Sequence, residues 1–514
     1  MMTRRASLLS LASTALFTVL LTASVAAESR SIFNGTTLAG WKAPDMRYWS
    51  VKDGAITAQS SDEMPCKQNQ FLVWQGGDLD DFNLSMKFRI SGAPSANSGV
   101  QIRSQIAPDG HASGYQADLD LAGRWRGALY DEHMPRRLLA APGQKTVIAA
   151  DGTRKSVPIP GAKAKFDADG WNEYRIIARG SRITVMVNGT LTSDVTDEET
   201  KHRDLFGKLA IQIHSGPPMT VQFKDIHLER LPLTKGRKKT VLIAGRPSHG
   251  SGQHEHNAGI KLLAKRLRTV PGMIATEYHD RGWPKDPSAF DNADAVVIYA
   301  DGGGGHPLNA HLEQFEALAK RGVGLMCIHY GVEVPVGRSG DAFKRWIGGH
   351  YEHKFSSNPH WNADLKINSE HPIGRGVKAT KILDEWYFSI RFRDGRKGVQ
   401  SILTAKPSDK TRSKNGYPPK PYPHIIAQSG KAETLMWAVE REDGGRGVGF
   451  TGGHFHRNWA HDTQRRAVLN AMMWVAGATV PKGGVDSEAV SVEELNADLD
   501  KKRGMKKIAL PDGL

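Results

Sequence analysis

Apolar and polar residues alternate in short runs over Ser31–Leu233, the period of strands that bury one face. Trp49–Val51, Ala55–Ala58, Phe71–Trp74, Phe82–Ile90, Gly99–Ser104, Tyr115–Leu121, Ala128–Tyr130, Asn172–Arg179, Arg182–Val187, Lys208–His214 and Val221–Leu228 each read as a strand. DG, GG, NG and SG turns separate them, and no long amphipathic helix intervenes. Val187-Asn188-Gly189-Thr190 marks a tight hairpin, because Asn-Gly tolerates positive φ. Two curved antiparallel sheets, packed as a jelly-roll sandwich, are the natural solution.

The pattern changes after Lys235–Lys239, a basic cluster that reads as a linker over residues 233–239. Thr240–Ala244 is a fully apolar strand, Ala293–Ala300 reads as another buried strand and Gly324–His329 as a third. Helical patterns near Asn257–Arg268 and Leu308–Lys320 alternate with them. This order predicts a doubly wound parallel α/β sheet with functional groups at the carboxyl ends of its strands. Thr434–Ala438 and Gly447–Thr451 are expected as later strands, Asp462–Val475 as a closing helix, and Ser491–Glu494 as a capping pair in the tail.

Length fits this division, since 514 residues exceed what one core serves. The net charge is +15, but the basic residues are dispersed, which argues against a nucleic-acid partner. Residues 1–27 carry Arg4 and Arg5, an apolar run and a small-residue Val25-Ala26-Ala27 site, the form of a secretory signal. The expected product is periplasmic or secreted, with no membrane span after cleavage. Cys66 and Cys327 fall in different halves, so no disulfide framework is expected.

Candidate chemistry gathers in two places. Within Gly114–His133, Tyr115, Ala117, Leu119 and Leu121 point one way, and Gln116, Asp118 and Asp120 the other. If the next strand pairs back, Tyr130, Asp131, Glu132 and His133 return beside them, making a concave acidic wall. Asp118, Glu132, Asp120 and His133 are the candidate proton-transfer groups, and Arg103, Gln116, Tyr130 and His214 the candidate substrate contacts. The plain alternative is a solvated sheet face with charge pairs. In the second half His254, His329 and His454 fall at expected strand ends, and with Glu385 they could hold a divalent ion such as zinc. Their plain alternative is hydrogen-bonded loop histidines. The Gly302–Gly305 run lacks nucleotide-loop spacing, so no nucleotide cofactor is expected.

Ile32–Trp41 (IFNGTTLAGW), Asn97-Ser98-Gly99-Val100 with Arg103, Gly114-Tyr115-Gln116, Gly127–Tyr130, Trp171–Tyr174 and Ile211–Gly216 together resemble the 3-keto-disaccharide hydrolase family over residues 28–232. The resemblance implies a concanavalin-like fold. Gln116 stands where the family commonly has Glu, and Asp118 where it has Gln. Gly324–Gly331 (GLMCIHYG), Asp384–Tyr387 (DEWY) and Gly447–Ala476 resemble the trehalose-utilisation, or ThuA-like, family over 240–478. That likeness implies a flavodoxin-like fold related to class I glutamine amidotransferases, although Cys327 lies within the strand rather than on the nucleophile turn. Residues 479–514 form a tail.

Both resemblances imply 3-keto sugar metabolism. A C3 ketone acidifies the C2 proton; a base removes it, the C1 substituent leaves, and water adds to complete net hydrolysis. The expected partner is an oxidised disaccharide or glycoside. The rival reading is a lectin-like sandwich attached to a ThuA-like domain, which needs hydrogen-bonders and aromatic platforms but no base.

Overall fold

The computed structural model describes residues 28–414 and 422–512. The expected leader at 1–27 lies outside these residues. Among the described residues no helix is long and apolar enough to cross a membrane.

The first domain is a sandwich of two sheets. One is ten-stranded and centred on Phe82–Gly92 and Met219–Arg230. The other runs in the order Arg137–Ala140, Leu129–Glu132, Ala112–Asp120, Asn97–Ile106, Lys208–Ile213, Gln70–Trp74, Trp41–Lys42. Alternation decides what lies between them. Leu84, Met86, Phe88 and Ile90 from one sheet meet Val100, Tyr115, Ala117, Leu119 and Ile211 from the other in a single core. The residues between these on the second sheet therefore line its far face. Asn188 (φ 46°) and Gly189 (φ 74°) turn the expected hairpin.

The second domain holds an eight-stranded sheet in the order Met273–Tyr278, Lys238–Ala244, Ala295–Tyr299, Gly324–Ile328, Arg446–Phe450, Glu433–Glu440, Val399–Ala405, Lys366–Ile367. The first five strands are parallel. The last three are antiparallel, which corrects the expectation of a parallel sheet throughout. Chain length explains the change: only Arg441–Gly445 separates Glu433–Glu440 from Arg446–Phe450, enough for a hairpin but not for a crossover. Helices His256–Arg268 and Asp462–Val475 share one core with Leu242, Val297 and Met326. Leu312–Lys320 and Arg338–Trp346 share another with Val241, Val296 and Leu325. In the tail, Ser491 caps the short helix Val492–Leu495 by accepting from the Glu494 amide.

The basic cluster is not a free linker. The strand begins at Lys238, and Lys239 is buried with its ammonium 2.8 Å from Asp80 of the sandwich. Lys239 also donates to Asn292, which donates to Asp80 (2.6 Å). Arg230 crosses the same seam to Asp286 and Ser288, while Asp81 pairs with Arg103 (3.0 Å) and Arg237 (2.7 Å). The physical reason is a charge demand: two buried carboxylates, Asp80 and Asp81, must be neutralised, and the cations after Leu233 supply that. Burial opposes ionisation of Asp80, yet Lys239 and then Arg230 outweigh it and bring its pKa to about 2. Lys239 is pulled down by its own burial, which outweighs the support of Asp80.

Lys239→Met strands the Asp80 charge and should cost about 3–5 kcal/mol in urea unfolding. Asp80→Asn combined with Lys239→Met should cost less than Lys239→Met alone; equal costs would mean that packing, not charge, carries the joint. Because the folded pKa of Asp80 is depressed, its contribution is complete above pH 3.8 and is lost as pH falls towards 2. Acid titration of the unfolding midpoint, wild type against the double variant, reads that loss.

Candidate functional site

Four adjacent parallel strands each deliver a side chain from their carboxyl ends. His254 follows Lys238–Ala244, Asp301 follows Ala295–Tyr299, His329 follows Gly324–Ile328, and His454 follows Arg446–Phe450. Glu385 ends Lys381–Glu385, in a separate two-stranded sheet. Its neighbour Asp384 accepts from the amides of Gly453 (2.8 Å) and His454 (3.1 Å), which ties the Glu385 strand to the His454 loop. His254 (φ 47°) and His329 (φ 54°) both hold the left-handed conformation that side chains disfavour.

The structure brings His254, His329, Glu385 and His454 into one cluster, their inward atoms all within 4.8 Å of one another. His254 Nε2 is 3.1 Å from both His329 Nε2 and His454 Nδ1, and these last two are 3.3 Å apart. Glu385 Oε2 lies 3.4 Å from His329 Nε2 and 3.2 Å from His454 Nδ1. A tetrahedron of ligands about 2.0–2.1 Å from a central zinc has edges of roughly 3.3 Å.

Hydrogen bonds assign the tautomers. His329 Nδ1 faces the Thr451 carbonyl at 2.9 Å, and a carbonyl only accepts, so Nδ1 carries the proton. His254 Nδ1 faces Asp301 Oδ1 at 3.0 Å, with the same result. Two bare Nε2 lone pairs then confront each other at 3.1 Å. Only positive charge between them resolves that conflict. Burial, and then the neighbouring imidazoles, push His254 far below the ordinary histidine value, which disfavours a proton there. The donor set fits a divalent cation whose ligands are oriented by outer carbonyl and carboxylate partners. Glu385 is held well below the usual carboxylate range: burial works against ionisation, and the His329 and His454 imidazoles overcome it.

A cavity of about 760 Å³ opens beside the cluster, lined by His254, Glu385, Tyr330, Glu333, Asn358 and His360 among others. Asn358 donates to Glu385 Oε1 (3.1 Å), leaving Oε2 for the cluster. Cys327 is buried in its strand, and burial pushes its thiol well up, so it is no nucleophile.

On the sandwich, Gln116, Asp118, Tyr130 and Glu132 share the face turned away from the core, as the register of Gln116 with Tyr130 and Gly114 with Glu132 requires. Gln212 joins them: its Nε2 reaches Glu132 Oε1 at 3.4 Å although two strands lie between theirs, so this face curves inward. Ser104 donates to Gln101, Gln101 to Gln116 (2.7 Å), and Gln116 to Asp118 Oδ1 (2.6 Å). Asn69 donates to Glu132 (2.9 Å). Both carboxylates are buried. Burial, with smaller contributions from Glu132 and Asp120, raises the Asp118 carboxyl well above its ordinary value, against the pull of Gln116.

Other expected members sit elsewhere. Arg103 is only 1% exposed and donates to Asp80 O, Gly180 O and Asp81; a bulge at its position (φ 48°) turns it towards the seam, so it is no substrate contact. Asp120 accepts from the amides of Arg124, Trp125 and Arg126, and it fixes that loop rather than moving protons. Asp131 alternates to the opposite side and pairs with Arg136 (2.6 Å). His133 stands at the rim, its Nδ1 on the Ala112 carbonyl and its Nε2 3.9 Å from Glu132. His214, also at the rim, gives Nδ1 to the Ser215 carbonyl.

Residues 28–229 match the model of the 3-keto-alpha-glucoside-1,2-lyase-like domain, and residues 240–475 that of the trehalose utilisation family. One match falls on each of the two domains. Among solved structures, the lyase-like domain is similar to a proposed glycosyl hydrolase from Parabacteroides distasonis (19% identity, 40% of this chain, 94% of that chain, TM-score 0.28). It is also similar to the carbohydrate-binding module CBM66 from Bacillus subtilis (14%, 37%, 95%, 0.26). The trehalose-utilisation domain is similar to a proposed ThuA-like protein from Parabacteroides merdae (17%, 48%, 92%, 0.34). No curated protein matches the chain.

Sequence reasoning missed Asp301, Glu333 and His360 in the trehalose-utilisation domain, and Gln101, Asn69 and Gln212 in the lyase-like domain. Asp301 was detectable, since it immediately follows an apolar strand; the others depend on loop paths and sheet curvature. Arg103→Met should lower unfolding free energy by about 3–5 kcal/mol, since Asp81 stays buried with one partner fewer. Ligand affinity of the folded variant should not change. Lost affinity at unchanged stability would return Arg103 to the binding face.

Proposed function

We propose that the protein is an exported carbohydrate-active enzyme that cleaves 3-keto-glycosides by elimination across C1–C2 followed by hydration. The observation that carries this reading is the pair Asp118 and Glu132, buried on one concave face and hydrogen-bonded by carboxamide donors, with no lysine or arginine ion pair to either among the described residues. Burial raises the Asp118 carboxyl well above its ordinary value, which makes its anion a stronger base than a carboxylate held in an ion pair. One of the two takes the C2 proton; the electron pair moves towards the C3 ketone, and the C1–O bond breaks. The carboxamides of Gln116 and Gln212 and the Tyr130 hydroxyl orient sugar hydroxyls. The lyase-like family match supports the reaction class. The substrate is an oxidised disaccharide or glycoside, met in the periplasm or outside the cell, and no nucleic acid is involved.

The trehalose-utilisation domain, read as a variant of the doubly wound class, holds one divalent ion, zinc by its ligand set, on His254, His329, His454 and Glu385. When bound, such an ion polarises a carbonyl or hydroxyl oxygen. The protein's own part is to fix the imidazole tautomers and keep the site against a polar cavity.

Asp118→Asn and Glu132→Gln are nearly isosteric. Loss of the base should lower turnover of 3-keto-trehalose or a 3-keto-glucoside by about 10²–10⁴. Full turnover in both variants removes the base from this wall; binding of the unoxidised glycan without turnover of any 3-keto sugar favours the lectin-like reading. Metal analysis of untagged protein should find one zinc per chain, lost in His329→Ala. A site that stays empty after zinc addition leaves these histidines as hydrogen-bonded loop groups.

A further inference from the structure

Glu333 is unused by either reaction group described above. It follows the turn His329–Val332 that ends the His329 strand. Its backbone is fixed twice: its amide donates to Tyr330 O and its carbonyl accepts from Gly303, both at 2.9 Å. Its side chain lines the 760 Å³ cavity together with His254 and Glu385. Among the described residues no hydrogen bond or ion pair engages its carboxyl, although the residue is half-buried. Gly303 shows what it faces. A Cβ placed there would lie 3.5 Å from Glu333 Oε1 and 3.6 Å from the Tyr330 hydroxyl, so a free carboxyl and a phenol flank one point that a bare glycine leaves open. Burial, with Glu385 adding to it, raises this carboxyl to about 7, consistent with a group that exchanges protons near neutrality.

We propose that this cavity is a second proton-transfer site, in which Glu333 takes and returns the proton on the carbon next to the carbonyl of a small keto sugar. The C–H bond breaks, an O–H bond forms on Glu333, and the electron pair moves to the carbonyl oxygen, where Tyr330 donates a hydrogen bond. Return of the proton by Glu333 to the same carbon on the same face exchanges it with solvent; return to the former carbonyl carbon, with proton shift between the oxygens, isomerises the sugar. Neither outcome needs an oxidant or a nucleophile, and the buried Cys327 offers none. The lining of imidazole, phenol and carboxamide groups suits a polyhydroxylated ligand of one or two rings. Only the choice of probe rests on the 3-keto reading of the sandwich.

The full chain is incubated with free 3-keto-glucose in deuterium oxide, and deuterium entry beside the ketone is followed by NMR. Glu333→Gln should slow that entry by about 10²–10⁴-fold, with zinc content and melting temperature unchanged. If Glu333→Gln melts early, Glu333→Asp decides: a carboxylate withdrawn by one methylene should exchange at least about tenfold more slowly, and an unchanged rate overturns the proposal. Wild-type exchange no faster than buffer also overturns it. So does exchange that is lost in Asp118→Asn but kept in Glu333→Gln, since the sandwich would then own the step. Exchange that survives in Asp118→Asn while glycoside cleavage fails separates this site from the sandwich reading.

Discussion

Two adjacent buried carboxylates, Asp80 and Asp81, set the terms for the whole chain. Neither can stay charged inside protein without partners, and both are served from three directions: Arg103 from the sheet beside them, Arg237 from the stretch between domains, and Lys239 from the first strand of the second domain. A single electrostatic requirement thus shapes the bulge at Arg103, the path of the connecting chain and the place where the second sheet starts. Apolar burial builds each core separately, but it does not specify how one core meets the other. Directional charge does that.

The two carboxylate sites solve opposite problems with charge, and they are better described by what surrounds each carboxylate. In the sandwich, Asp118 and Glu132 receive only carboxamide donors. Burial raises the Asp118 carboxyl well above its ordinary value. In the other domain, Glu385 sits among three imidazoles, two of which, His329 and His254, have their lone pairs turned inward by Thr451 and Asp301. That arrangement is poor for a proton and suited to a cation. The same residue type meets carboxamides in one place and imidazoles in the other, and its neighbours alone make the difference.

Much of this was legible in the sequence. Period-two alternation separated Tyr115, Ala117 and Leu119 from Gln116 and Asp118 because one face of that strand has to be apolar. The strand-end positions of His254, His329 and His454 followed from the parallel order, which sends successive carboxyl ends to one edge. What stayed hidden depends on long-range geometry. Arg103 sits in a strand with plausible spacing, but a bulge reverses its direction, and nothing local announces a bulge. Lys235–Lys239 resembles a linker by composition, and only the distant Asp80 makes its last residue a buried one. Glu333 reaches its cavity through a turn whose path no periodicity encodes. The antiparallel strands were within reach, since five residues between Glu440 and Arg446 rule out a crossover.

The seam has a further consequence for a chain of net charge +15. Dissolved ions screen charges they can approach, over about 8–10 Å at ordinary salinity. Exposed lysines and arginines are therefore sensitive to ionic strength, and so is any attraction they exert on an acidic surface. Asp80, Lys239 and Arg230 are closed off from solvent, and counterions have no access to them. The angle between the two domains is thus insulated from the salinity of the medium, while the outer field of the molecule is not.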